Sequence, residues 1–135
     1  MKVEVTLRLL KLIKMYILDT EEKFTTGSHF ADKNGRPLEA SVSAIPKVAR
    51  RCIGGAVIEG LVALGIDNNA SPESHGYKIA MYNLGDSLGS FQSGEEKIRA
   101  VMRMNNEEGF KATHSMLDKA IKQCEAIVTK TKTRR

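Results

Sequence analysis

The 135-residue sequence predicts a mainly α fold, a single compact bundle of four to five helices with a small β-hairpin as an option inside the 24–40 loop. Three observations predict it. The length suits one core, large enough to bury roughly two thirds of the surface of the unfolded chain. Apolar residues recur at three- and four-residue spacing in window after window. Between those windows stand clusters of Gly, Asn, Ser and Pro, the residues that end helices and make turns. A composition of 41% hydrophobic and 27% charged residues is ordinary for a globular domain, and no apolar run approaches the length of a membrane span.

Taken in order, residues 3–18 read two ways. "VEVTLRL" alternates like a strand, whereas Val5, Leu9, Leu12, Ile13, Tyr16 and Ile17 recur at helical spacing, and the longer pattern favours a helix. Glu4, Arg8, Lys11 and Met15 then form its water face. Arg8, Lys11 and Lys14 interrupt the apolar stretch 7–18 and no small-residue cleavage site follows, so no secretion signal is expected and residence inside a cell is. Residues 19–43 are polar, with turn signals in "TTGSHF" and "KNGRP"; Asn34-Gly35 is the dipeptide that would close a hairpin.

A second helix is expected to begin at 43–46, with Ser43 near its cap and Pro46 in its first turn, and to run to Leu64, stopping at Gly65. Ala49, Cys52, Ile53, Ala56, Val57, Gly60 and Leu64 share its apolar face; Lys47, Arg50 and Arg51 lie elsewhere. Tyr77, Ala80, Met81, Leu84, Leu88 and Phe91 mark a third helix, with Gly89 near its end. Ser93 with Glu95 and Glu96 reads as the start of a fourth, carrying Ile98, Val101 and Met102 and a supporting Glu95–Arg99 pair. After "NNEEG" the last helix turns Thr113, Leu117, Ala120, Ile121, Cys124 and Val128 inward. The domain so defined spans 1–128, followed by a basic tail, 129–135.

Gly54-Gly55 poses the sharpest local question. A phosphate loop needs a preceding strand, a fixed glycine spacing and, for triphosphates, a lysine before Ser or Thr, and these are missing. Inside a helix each glycine costs about 1 kcal/mol, which close packing against bare backbone can offset. Cys52, Gly55, Ala56 and Ala63 form one small-residue strip, so another helix is expected against it; the rival reading is a ligand pressed to the same backbone.

Catalytic chemistry finds little support. Cys52 has no neighbouring base in sequence, and His29, His75 and His114 fall in different segments. Two cysteines and three histidines without paired spacing give no metal signal, so no metal and no cofactor are expected. Cys52 and Cys124 both sit in apolar patterns and are expected as unpaired core thiols. The acidic pairs 21–22, 95–96 and 107–108 read as solvated charges. For nucleic acid, seven aromatics without Trp build no stacking platform, and the helix pair 95–104 and 111–128 meets an acidic turn where phosphate contacts would begin. Most of the net charge of +5 comes from "AIVTKTKTRR", whose Lys130, Lys132, Arg134 and Arg135 are the candidate nucleic-acid contacts.

From the first helix through "FADKNGRP", "RRCIGGA", "MNNEEG" and "THSMLDKAI", residues 3–125 resemble a family of small uncharacterised domains from actinobacteria and their phages. That family carries a Cys-x-x-Gly-Ala element and an Asn-Asp turn that opens the last helix. Cys52, Gly55 and Ala56 match the first, Asn105 the turn asparagine, and Thr113, Leu117 and Ala120 the final helix. Asn106 replaces the turn acid, so no carboxylate role carries over. The resemblance implies a compact helical fold and a phage or bacterial origin, hence the cytoplasm of a bacterial host, and it implies no activity.

The first functional expectation is therefore a non-enzymatic binding protein, phage-encoded, that occupies a host protein and inhibits a defence or transcription system. The surfaces expected to do this are the 25–39 loop, Arg50 and Arg51, and the Asn105–Gly109 turn with Asn105 and Asn106. A second expectation is a nucleotide-binding or sequestering protein that grips phosphates with Arg50, Arg51, His29 and Arg36. A third is a nucleic-acid binder that uses the basic tail. No membrane partner is expected.

Overall fold

The computed structural model describes residues 1–133. Among them are five α-helices and three two-residue strands: α1 (Val3–Leu12), β1 (Phe30–Ala31), β2 (Pro37–Leu38), β3 (Arg50–Arg51), α2 (Ile53–Ala63), α3 (His75–Asp86), α4 (Gly94–Arg103) and α5 (Gly109–Thr133). The fold is mainly α, as the periodicity predicts, with a small sheet at the loop where Asn34-Gly35 allows a hairpin. The core gathers Leu9 and Leu10 from α1, Ile13 from the turn after it, Ile53, Val57, Ile58 and Leu61 from α2, Met81 and Leu84 from α3, Val101 from α4, and Met116, Leu117 and Ala120 from α5. No helix among the described residues is long and apolar enough to cross a membrane.

The helix of residues 3–18 forms, but its last turn widens. Residues Ile13–Ile17 are π-helical, and Leu18 N–H donates to Ile13 O at 2.8 Å, five residues back. The wider turn lets neighbouring Ile17 and Leu18 both face inward and swings Tyr16 into solvent. The α-helical wheel had put Tyr16 on the inner face; the π turn is the reason it is not there. Along its other flank α1 packs on α5, where Lys11 pairs with Glu125 at 3.5 Å, Lys14 pairs with Asp118, and His114 Nε2–H donates to Leu18 O at 2.6 Å.

The hairpin is present, and a third strand joins it. β1 lies between β2 and β3, antiparallel to both, with Phe30 opposite Leu38 and Arg51. The Asp32 carboxylate accepts from Asn34 N–H and Arg36 N–H at 2.9 and 3.0 Å and so closes the connecting loop. Gly35 alone takes the left-handed φ, at +79°, which fixes glycine at that place. The Arg36 amide bond holds the Asp32 carboxyl below the usual carboxylate range, helped by Asn34 and by the Arg36 and Lys33 charges.

That third strand corrects the expected start of the second helix. Residues Val42–Lys47, with Pro46, form only a 3-10 turn; Ala49 N–H then donates to Ala31 O and Cys52 N–H to His29 O, at 2.9 and 3.1 Å. Strand pairing captures residues 50–51 before a helix can include them. α2 therefore begins at Ile53, with Cys52 as its N-cap: the thiol sulfur accepts from Gly55 N–H at 3.4 Å.

The glycine pair does lie in a buried helix pressed by close neighbours, but strand β1 and the residue before it do most of the pressing. A methyl on Gly55 would overlap the His29 carbonyl oxygen; one on Gly54 would lie 2.7 Å from Tyr77 Oη and 2.9 Å from the His29 ring. A helix does approach further on, where Leu9 of α1 fills the space beside Gly60.

α3 stops at Asp86, so Leu88 packs on the core from the loop that follows rather than from the helix, and Phe91 lies half-buried beside Glu96, Arg99 and Arg103 of α4. α4 begins as expected: Ser93 Oγ accepts from Glu96 N–H at 3.2 Å, with Glu95 and Glu96 in the first turn. The "NNEEG" turn is a second π-helical segment, Met104–Glu108, and Gly109 takes φ +87° where α5 sets off in a new direction. α5 carries Thr113, Leu117, Ala120, Ile121 and Cys124 inward and continues through Thr133, so Lys130 and Lys132 stand on its last exposed turns. Cys52 and Cys124 are both buried and unpaired.

Candidate functional site

The residues expected to bind divide into those spent on the fold and those left at the surface. Arg51 and Arg50 alternate across β3, so one turns in and the other out. Arg51 is 8% exposed. Its guanidinium donates to Glu59 Oε1 at 3.1 Å, Ala49 O at 3.2 Å and Lys23 O at 3.4 Å, leaving Nε as the buried side-chain polar atom without a partner among the described residues. Its charge is answered by Glu59 inside the protein, which corrects its placement on a binding surface. Arg50 and Arg36 are exposed.

His29 is half-buried, with Nε2 3.3 Å from Tyr77 Oη. Burial pushes the imidazole below its ordinary pKa and the Tyr77 phenol well above its own. A neutral imidazole facing a neutral phenol is no phosphate grip. The set Arg50, Arg51, His29 and Arg36 is therefore not assembled into one cationic cradle.

Asn105 is fully buried and ties three parts of the chain together. Its Oδ1 accepts from Ile53 N–H at 2.8 Å, satisfying a free amide at the start of α2, while Nδ2 donates to Thr25 O at 3.3 Å and to Asn106 Oδ1 at 2.9 Å. Asn106 Oδ1 also accepts from Gly27 N–H at 3.1 Å. The first turn of α2 is thus closed by Cys52 and Asn105, and its amides are not offered to an anion. The Cys52 thiol, raised in pKa by burial, is fully enclosed. Among the described residues no group of three or more His, Cys, Asp or Glu side chains could hold a metal ion. Lys130 and Lys132 are exposed; Arg134 and Arg135 lie outside the described residues.

An open apolar surface runs along α1, and Ile127 of α5 is exposed as well. Met15 is 56% exposed, Tyr16 66% and Ile66 37%. They belong to two shallow grooves that both have α1 residues in their lining. One, of about 260 Å³, is lined by Arg8, Lys11, Leu12, Met15, Tyr16 and Leu64. The other, of about 450 Å³, is lined by Met1, Val5, Ile66, Asp67, His75 and Gly76. Val5, Arg8 and Leu12 form a stripe at helical spacing beside the inward face of α1, and Met1 before the helix and Met15 in the π turn line the same grooves. Lys11 is occupied by Glu125, whereas Arg8 has no ion-pair partner among the described residues.

Sequence reasoning missed this stripe because half of it, Tyr16 and Leu12, counted as core and the other half, Met15 and Arg8, as water face. The available signal was the excess width of the apolar arc, too broad for one buried seam. Set against known proteins, the chain matches no family model, no curated protein and no solved structure.

Proposed function

We propose that this chain is a binding protein without catalytic chemistry of its own, and that it seats an amphipathic helix of a partner protein along the α1 stripe. The observation that carries this reading is the run of apolar side chains left in water, Met15, Tyr16 and Ile66 above Leu12 and Leu64, where a folded monomer ordinarily keeps large apolar groups scattered. A helix laid in such a groove anchors by residues at i, i+3, i+4 and i+7. Arg8, unpaired at the groove edge of a chain with net charge +5, favours an acidic residue on the flank of that helix. The resemblance to actinobacterial phage domains makes a bacterial host protein the partner to seek, and covering a helix that the host needs elsewhere would inhibit it.

The test compares the intact protein with Tyr16→Glu and Arg8→Glu in affinity capture from host lysate. The expected result is one partner at fixed stoichiometry with the intact protein, lost with either variant while the circular dichroism spectrum is unchanged. Capture that survives both substitutions would refute the site. Sedimentation showing a dimer dissolved by Tyr16→Glu would instead assign the stripe to a second copy and refute the reading.

A further inference from the structure

On another face, α3 and α4 approach unusually closely because two glycines allow it. A methyl on Gly85 would lie 2.6 Å from Lys97 Cβ, and one on Gly94 would lie 2.5 Å from the Tyr82 ring. Tyr82 is thereby wedged against bare backbone. Lys97, with Nζ 5.9 Å from the Tyr82 ring centroid, is itself held by Asp86 at 2.8 Å. A groove of about 380 Å³ opens beside this crossing, a volume in the range of small-molecule sites. Pro72, Tyr82 and Ile98 give it an apolar lining, and Glu73, Lys78, Glu95 and Arg99 give it charge.

Those four charges are not spent on one another. Glu95 and Arg99 stand four residues apart on α4, the spacing at which a helical ion pair forms, yet they make none, and neither Lys78 nor Glu73 is ion-paired among the described residues. This corrects the expected Glu95–Arg99 pair. Two cations and two carboxylates around an apolar lining suit a guest that carries both signs. A nucleotide phosphate would meet both carboxylates, and a polyamine would meet both cations.

We propose that the α3–α4 groove binds a small zwitterion of the amino-acid class. The carboxylate of the guest pairs with Arg99 and Lys78, its ammonium with Glu95 and Glu73, and its apolar side chain lies on Tyr82 and Ile98. This site is separate from the α1 stripe, and either can fail without the other.

The experiment is a titration of the full chain by NMR with L-phenylalanine, N-acetyl-L-phenylalaninamide and adenosine monophosphate. Phenylalanine is expected to give saturable amide shifts centred on Lys78, Tyr82, Ile98 and Arg99, and the capped compound, which has neither charge, none. Arg99→Gln and Glu95→Gln are each expected to weaken phenylalanine about tenfold or more, the effect of losing one charge-assisted hydrogen bond, with Glu107→Gln as an unaffected control. Absence of saturation at millimolar phenylalanine, equal binding of the capped compound, or saturation of the groove by the nucleotide would each overturn the proposal. An effect of Glu107→Gln as large as that of Glu95→Gln would do the same.

Discussion

At the scale of single residues, the side chains that most resemble a functional site are the ones that hold the molecule together. Cys52 caps α2, Gly55 makes room for the His29 carbonyl, and Asn105 answers the amide of Ile53. Replacing Asn105 by Ala strands that amide in the interior and takes a donor from the half-buried Thr25 carbonyl, and the expected loss is about 2–3 kcal/mol in urea unfolding. Asn106 behaves differently. Its bonds to Gly27 and Asn105 both use Oδ1 as acceptor, which a carboxylate can also supply. Asn106→Asp is expected to keep wild-type stability, whereas Asn106→Ala loses about 1 kcal/mol in the same assay. An acid at this place would then serve as a hydrogen-bond acceptor.

His29 supplies a pH test at the same scale. Its folded pKa lies below 6.5 because burial penalises the cation. In the unfolded chain it binds a proton first, so stability is complete above pH 6.5 and falls as pH drops from there through the folded value. Chemical unfolding of the intact protein and of His29→Gln across that window is expected to show the slope shrinking in the variant.

At the scale of elements, the helices were legible wherever a polar cap and a simple apolar period coincide. Ser93 before α4 and the long inward row of α5 are the clearest cases. Legibility failed at two kinds of place. Residues 43–52 carry a helical period, yet the backbone groups of Ala49, Arg50, Arg51 and Cys52 bond to β1 and its neighbour His29, and a partner about twenty residues away is invisible to a local pattern. At 13–17 the period itself changes, and one wide turn exchanges Tyr16 for Leu18. That register is checkable: Tyr16→Ala is expected to leave stability within about 0.5 kcal/mol of wild type, and Ile17→Ala to cost about 2–4 kcal/mol. A regular α-helix would spread the cost over both. The stripe on α1 was hidden for a different reason: its apolar arc is broader than one buried seam, so Leu12 and Tyr16 counted as core and Arg8 and Met15 as water face.

At the scale of the whole molecule, the division of labour is between a sealed half and an open one. The sheet, the start of α2 and the 104–108 turn share their polar groups among themselves, while the α1 stripe and the α3–α4 groove leave apolar and charged groups to water. The two ends of this arrangement are far apart along the chain, since Asn105 reaches back 52 residues to Ile53 and 80 to Thr25. Closing loops of that size carries an entropy cost that local helix formation does not. The lock on α2 is therefore expected to engage late, after α4 has been laid down. Truncation before residue 104 is expected to leave a species with helical circular dichroism but amides near Ile53 that exchange freely with deuterium, and a nascent chain on the ribosome would stay in that unlatched condition until Asn105 had emerged.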